Sequence, residues 1–140
     1  MVEINNTTKQ KIDLKKTQKI AESFLRFYKK SGQDVSLAVI GEIRMKRLNK
    51  EYRRIDKTTD VLSFGGGKEP GYLGEVIINI RETKNPDKYL EIFGRKEKPA
   101  TIFYFLLVHG LLHLVGYDDK TDKTRQEMID LGKKFLEKFI

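Results

Sequence analysis

The alternation of hydrophobic and polar positions predicts a chain in which strands and helices follow one another. We predict a short strand at residues 2–4. A longer strand is predicted at residues 34–40, because apolar residues occupy every second position there. Between them, residues 14–31 place apolar side chains at helical spacing. Asp13 is suited to cap the start of this helix and Gly32 to end it.

The middle of the chain contains the strongest strand pattern. Residues 72–80 include a β-branched run at 76–78, which predicts burial on both faces of a sheet and therefore a central strand. Before it, residues 42–52 predict a basic amphipathic helix and residues 61–64 a short strand, with a polar, irregular stretch between them. The three glycines at 65–67 predict a mobile loop.

The last third of the chain predicts mainly helices. Residues 81–93 have a weak helical periodicity that a proline interrupts. Pro99 suits the first turn of a long apolar helix. Thr121 or Asp122 can cap a last helix that runs to about Phe139.

These elements predict an α+β fold in one domain spanning residues 1–140, with three to four strands in a small mixed sheet and helices packed against it. The absence of cysteine fits a reducing compartment but does not by itself exclude export, and the first residues show no signal-peptide pattern. The apolar run at 100–117 raises the possibility of a membrane span. Its two histidines and two glycines favour a buried helix instead, and we expect no membrane partner.

The net charge of +8 is concentrated in the first part of the chain. Lys and Arg outnumber Asp and Glu by 15 to 8 in residues 1–60, but only by 7 to 6 in residues 61–108, and they are equal, 6 to 6, in residues 109–140. A basic surface attracts polyanions, of which nucleic acid is the commonest, with anionic lipid or an acidic protein as alternatives. Surface lysines kept only for solubility are a further alternative.

The only two histidines, His109 and His113, stand at the end of the apolar helix. At this spacing both imidazoles project from one helix face and can reach a single ion. Gly116 can end the helix in a tight turn that brings Asp119 round as a third ligand. Three such ligands leave zinc one open position, as in catalytic sites. Two core histidines with backbone partners are the alternative.

The histidine spacing also matches zinc proteases that carry a glutamate directly after the first histidine. Here that position is Gly110, so the general base of those enzymes is absent. Peptide hydrolysis by that mechanism is therefore disfavoured.

Four segments in chain order carry a family resemblance. They are Leu48-Asn49-x-x-Tyr52-Arg53, Thr59-Asp60-Val61-Leu62-Ser63-Phe64, Leu73-Gly74-Glu75-Val76 and His109-Gly110-x-Leu112-His113-Leu114-x-Gly116-Tyr117-Asp118. Together they resemble the YbeY family of bacterial rRNA-maturation endoribonucleases. The resemblance implies a cytoplasmic, metal-dependent endoribonuclease specific for single-stranded RNA. It also implies action on the 16S rRNA precursor at its 3′ end, in the small ribosomal subunit, and in ribosome quality control.

The resemblance extends to particular residues. It implies that His109 and His113 bind one zinc ion per chain and that Arg53 is the functional arginine of the family. Three positions depart from the usual pattern: Asp119 stands where the family usually has histidine, Thr58 where it tends to have proline, and Glu75 where it tends to have aspartate. Because a carboxylate is a harder, anionic donor, the first of these departures predicts an altered metal preference.

Phosphodiester hydrolysis needs a nucleophile near neutral pH and neutralisation of charge on the phosphoryl oxygens. We expect a metal-activated water as the nucleophile and Arg53 as a bidentate phosphate ligand that lysine could not replace. A surface ion pair with Asp56 is the alternative role for Arg53. The candidates for orienting ligands or transferring protons are Asp60, Glu75 and Asp118, and those for lining the substrate groove are Ser63, Gly65 and Gly66.

Two other functions remain open on the sequence alone. A zinc metalloprotease-like hydrolase would share the histidine motif but has no need of the basic N-terminal half. A non-catalytic RNA-binding factor in ribosome assembly would keep the basic surface and be indifferent to the metal. No motif indicates a nucleotide cofactor.

Overall fold

A computed structural model describes all 140 residues, from Met1 to Ile140, and it has the alternating architecture that the sequence predicts. The strands are β1 (Val2–Asn6), β2 (Asp34–Ile40), β3 (Val61–Gly65) and β4 (Tyr72–Asn79). The helices are α1 (Leu14–Phe27), α2 (Glu42–Arg53), α3 (Leu90–Phe93), α4 (Pro99–Leu114) and α5 (Asp122–Leu136). The predicted α+β class is therefore confirmed.

All four strands form one open mixed sheet in the order β1-β2-β4-β3. The first three strands in this order run parallel, and β3 runs antiparallel to β4. The predicted central strand is indeed β4, and Val76, Ile77 and Ile78 are all buried. Because β3 pairs only with β4, its outer edge is left without a strand partner.

The two faces of the sheet support hydrophobic cores of very different size. On one face, α1 and α4 pack against the side chains of Val35, Leu37 and Val76, and the resulting core contains 24 buried residues. On the opposite face, α2 contributes Met45 to a core of only four buried residues. We call these the α4 face and the α2 face. Residues that alternate along β2 and β4 are divided between them.

A residue in the left-handed conformation follows the end of two helices, and one of them, α1, is shorter than predicted. The helix predicted to end at about Ser31 stops at Phe27, because Lys29 adopts a left-handed conformation with φ 58°. In the same way, Arg54 has φ 58° and closes α2. Arg53 is consequently the last residue of α2 and does not belong to the irregular stretch in which the sequence placed it.

Several connections also differ from their predictions. Residues 81–93 form two 3-10 turns, Ile80–Lys84 and Pro86–Tyr89, followed by the short α3. The last helix begins with a capping box between Thr121 and Thr124 and ends at Leu136, three residues before the predicted end. None of the helices has both the length and the apolar composition required to cross a membrane.

Candidate metal centre and the cleft around it

The long helix α4 presses directly against the sheet, and a glycine permits this close approach. A Cβ added at Gly110 would lie 2.6 Å from Cγ1 of Val76, so a larger residue there would require the Val76 side chain to move. The Ser63 hydroxyl, on β3, donates a hydrogen bond to the Gly110 carbonyl at 2.9 Å. The glutamate base of the zinc proteases is therefore absent at a position where α4 lies too close to Val76 for a larger residue without a shift, which disfavours the protease alternative.

The end of α4 turns the chain back towards the histidines. Gly116 has φ 109°, a conformation that favours glycine. Its N–H donates to the His113 carbonyl at 3.1 Å, and the N–H of Tyr117 donates to the Leu112 carbonyl at 3.1 Å. These two bonds form a Schellman motif, a common helix ending in which a glycine adopts a positive φ. The turn brings Asp119 beside both imidazoles.

The geometry of the three candidate ligands fits a single ion. Oδ2 of Asp119 lies 3.4 Å from Nε2 of His109 and 3.4 Å from Nε2 of His113. All three ligand atoms lie within 4.8 Å of one another. Two ligands each about 2.05 Å from a tetrahedral zinc are separated by about 3.3 Å, so the spacing of Asp119 from both histidines is that of a tetrahedral edge.

Hydrogen bonding gives a second reason for a cation at this point. Nδ1 of His113 lies 3.1 Å from the Tyr117 carbonyl, which can only accept, so Nδ1 carries the proton and donates it. In the neutral ring, Nε2 is then an acceptor that faces the Asp119 carboxylate at 3.4 Å. Two acceptors in contact repel one another unless a proton or a metal cation lies between them. Nδ1 of His109 is buried without any hydrogen-bond partner, so that ring interacts with polar groups only through Nε2.

The surroundings of His109 keep its imidazole neutral. Burial, followed by the proximity of His113, lowers the pKa of His109, and Asp119 partly opposes this shift. The ring of Phe105, one turn earlier on α4, stacks on the His109 ring with centroids 5.9 Å apart. A neutral, sterically fixed imidazole is the form that binds a metal without first releasing a proton.

His109, His113 and Asp119, which we call the metal group, lie in a cleft of about 410 Å³. The cleft follows the unpaired edge of β3. Its walls come from both faces of the sheet, because α4 supplies the histidines and the end of α2 supplies Arg53. The lining residues are Arg53, Thr59, Asp60, Val61, Leu62, Ser63, Phe64, His109, His113 and Asp119. Consecutive residues of a strand point to opposite faces, so the four β3 residues in a row, Val61 to Phe64, can line one cleft only along the strand's edge.

Arg53 forms no ion pair, and the predicted alternative partner is engaged elsewhere. Asp56 lies 3.9 Å from the ammonium of Lys46. The amide of Asn49, buried one turn before Arg53, donates to the Lys57 carbonyl at 2.8 Å and so ties the following loop to α2. Sequence reasoning gave Asn49 no role, although it lies within the first of the four family-like segments.

The three candidates for orientation or proton transfer separate in space. Only Asp60 lines the cleft. It accepts hydrogen bonds from the Val61 N–H at 2.8 Å and from the Tyr89 hydroxyl at 3.0 Å. Burial and the charge of Asp60 raise the pKa of Tyr89, so its phenol stays protonated and donates. The sequence had given no sign of this tyrosine, because its partner is 29 residues away.

Glu75 and Asp118 lie apart from the metal group. Glu75 shares the α2 face with Ile77 and lines a different groove, because its register on β4 points it away from α4. Asp118 is exposed and accepts a hydrogen bond from the Lys120 N–H at 3.1 Å. Neither lines the cleft.

Of the three residues predicted to line the substrate groove, only one lies in the cleft. Ser63 lines the cleft, whereas Gly65 and Gly66 do not. Gly65 is the last residue of β3 and pairs with Gly74, and the Gly66 N–H donates to the Leu73 carbonyl at 3.0 Å. Two of the three consecutive glycines are thus fixed in the β3–β4 hairpin, where the sequence had predicted a loop.

The fold and the site together define an α+β domain with a His-His-carboxylate group able to hold a metal at the edge of its sheet. A model of the family described as Endoribonuclease YbeY matches residues 3–140. The chain belongs to this family, so the resemblance found in the sequence is confirmed.

Individual relatives agree with this assignment. An Endoribonuclease YbeY from Syntrophotalea carbinolica is 34% identical over 125 residues, which is 84% of this chain and 80% of the relative. One from Nitratiruptor is 44% identical over 89 residues, or 63% of this chain and 58% of the relative. The solution structure of TM1509 from Thermotoga maritima is similar with a TM-score of 0.64 and 28% identity, and covers 98% of this chain and 87% of that one.

Proposed function

We propose that this protein is a metal-dependent endoribonuclease that cleaves single-stranded RNA, with one zinc ion per chain. We further propose that its substrate is the 3′ end of the 16S rRNA precursor in the small ribosomal subunit, and that it serves ribosome quality control in the cytoplasm. Membership of the YbeY family supports the endoribonuclease role. The remaining statements rest on the site and on the resemblance of the four segments.

One observation carries the proposal: the three candidate metal ligands and an arginine without an ion-pair partner line the same cleft. A phosphodiester presents an anionic group that such a pair of positive centres can neutralise from two sides. The cleft is open along the edge of β3, so a flexible single strand, which is narrower than a duplex, can enter it. This arrangement suits cleavage within a chain.

The residues of the cleft have separable roles. When bound, the ion supplies Lewis-acid polarisation of the phosphate and lowers the pKa of a coordinated water. His113, held by its bond to the Tyr117 carbonyl, and His109, held beneath Phe105, present their Nε2 atoms in fixed directions. Arg53 binds a phosphoryl oxygen pair through its planar fork and stabilises charge that develops there.

Asp60 is the carboxylate best placed to orient a water or to receive a proton, because it alone of the three candidates lines the cleft. Its hydrogen bonds from Tyr89 and from the Val61 N–H fix its orientation. Ser63 holds α4 against β3 through Gly110, so its role in the cleft is structural support of the wall beneath the substrate.

Direct cleavage assays test the proposal. Purified protein is incubated with single-stranded RNA, duplex RNA of the same sequence and an unstructured peptide, each with added zinc and with a chelator. A His109→Ala, His113→Ala variant purified in parallel controls for contaminating nuclease. We expect metal-dependent internal cleavage of single-stranded RNA alone. Peptide cleavage, or RNA binding with no cleavage under any metal condition, would contradict the proposal in favour of the hydrolase or assembly-factor alternatives.

A further inference from the structure

Two further grooves lie along α2, and each shares a lining residue with its neighbour. Phe64 lines both the cleft, which has a volume of about 410 Å³, and a neighbouring middle groove of about 400 Å³. Arg44 lines both this middle groove and an arginine groove of about 670 Å³ at the start of α2. We propose that these grooves form one path for a single RNA strand, in which Tyr52 stacks on a base beside the cut and the arginine groove binds a phosphate farther along.

This inference rests on the proposed function, because it names the part of the substrate outside the scissile bond. It assigns roles to residues beyond the metal group and Arg53.

Tyr52 is placed to stack on a base. It is 60% exposed although it is a large aromatic residue, and it directly precedes Arg53. Its ring packs edge-on against Phe64, with centroids 5.2 Å apart and an interplanar angle of 64°. Phe64 therefore holds one edge of the Tyr52 ring while much of the side chain faces solvent. An exposed, supported ring next to a phosphate-binding arginine is the arrangement by which proteins hold single strands without reading sequence.

The arginine groove suits a phosphate. Arg44 and Arg47 from α2 and Arg81 from the turn after β4 all line it, and none of the three forms an ion pair. Gly41 caps α2 without a side-chain hydrogen bond, so unpaired N–H groups of the first helical turn add to the positive potential. One carboxylate, Glu42, also lines the groove and opposes the three cations.

The spacing requires a strand of several nucleotides. Arg44 and Arg53 are nine residues apart on α2, which corresponds to about 13 Å along the helix axis. A single bound nucleotide cannot bridge both ends, whereas an extended strand can. The middle groove is mainly apolar, with Ala38, Leu48 and Ile77 among its lining residues, and it contains one carboxylate, Glu75. Its walls suit bases more than phosphates, with charge concentrated at the two ends of the path.

Binding measurements on the intact protein separate the two contacts. The probe is a fluorescein-labelled 12-nucleotide single strand with 2′-O-methyl riboses, checked on a gel for integrity, and a matched strand with abasic sites. Tyr52→Ala should weaken binding of the normal strand by about tenfold and leave the abasic strand unchanged, because only the base stacks. Tyr52→Phe, which keeps the ring, should bind like the wild type.

The arginine groove is tested by the triple variant Arg44→Ala, Arg47→Ala, Arg81→Ala. The control is Lys15→Ala, Lys19→Ala, Arg26→Ala, which removes the same charge from α1 on the opposite face of the sheet. Each phosphate contact contributes about 0.7 to the slope of log affinity against log salt. The arginine variant should flatten that slope by about 1 to 2, and the control should leave it within experimental error of the wild type.

Cleavage then separates this inference from the proposed function. With the arginine variant, kcat/KM should fall at least about tenfold on a 12-nucleotide strand and stay unchanged on a trinucleotide, which cannot reach the arginine groove. Equal losses for the control and arginine variants, or Tyr52→Ala binding like the wild type, would overturn the path while leaving cleavage intact. Binding that follows these expectations without any cleavage would uphold the path and overturn the nuclease.

Discussion

The two faces of the sheet use the same strands for opposite purposes. The α4 face buries 24 residues beneath α1 and α4, and it carries both histidines on a helix that is almost completely enclosed. The α2 face buries four, and leaves Ile43 79% exposed and Tyr52 60% exposed on the helix that carries Arg53. One face thus provides rigidity, and the other provides accessible cations and aromatic surface.

This division fits the different demands of the two proposed ligands, a metal ion and an RNA strand. Metal binding tolerates little movement of its donor atoms, so the histidines belong on an element fixed by packing. An RNA strand is long and variable, and its contacts need exposure more than enclosure. The cleft lies where the faces meet, at the one sheet edge that α4 and the end of α2 both reach. Four changes, from the largest expected effect to the smallest, test this division.

The largest effect is expected for His113→Ala. It removes one of three donors and should reduce metal content from about one ion per chain to nearly none, with cleavage falling to the level seen in chelator. Elemental analysis of purified protein measures this, and circular dichroism checks that α4 remains folded. Full metal occupancy in the variant that lacks both histidines would show that the ion is held elsewhere.

The next effect compares equivalent truncations on the two faces. Leu111→Ala, in the core of the α4 face, should reduce the free energy of unfolding by about 3 kcal/mol because it leaves a cavity in a fully packed region. Leu48→Ala, partly buried on the α2 face, should cost about 1 kcal/mol. Urea denaturation measures both values. Equal losses would mean that the α2 face contributes as much stability as the α4 face.

A smaller effect, on the activation free energy of cleavage alone, is expected for Arg53→Ala. Cleavage should slow by roughly a hundredfold, the scale of losing one electrostatic donor, while fold and metal content stay unchanged. Arg53→Lys should restore little, because an ammonium lacks the planar fork. Lys50→Ala is the matched control, since Lys50 is exposed one turn earlier on α2 and lines none of the three grooves. A hundredfold loss in the control as well would assign the effect to general charge.

The smallest effect is expected for Asp119→His. It supplies a histidine at the position where the family resemblance implies the usual third ligand, so it should retain or tighten zinc, whereas Asp119→Ala should weaken zinc binding. Because the substitution removes one negative charge from beside the ion, the rise of cleavage with pH should move to lower pH. Metal content and the pH profile of cleavage measure the two variants. If both match the wild type, Asp119 is not a ligand, and Asp118 becomes the residue to test.

The local parts of the site could be predicted from the sequence because short-range geometry determines them. Two histidines four residues apart on a helix share a face, and a glycine three residues later can reverse the chain, whatever surrounds them. The same holds for the buried pattern of β4. The left-handed conformations of Lys29 and Arg54, which follow the ends of α1 and α2, could not be predicted in this way, since non-glycine residues rarely adopt them.

The sequence by itself determined the element order, the metal motif and the excess of basic residues in the first half of the chain. Only the tertiary structure decided that this excess is split between α1 on one face and α2 on the other, and that Arg53 and Asp60 meet the histidines while Glu75 points away. The physical reason is sheet geometry. Side chains alternate between faces with a period of two, so a residue's neighbours depend on register and strand order, and these are set by contacts between distant segments.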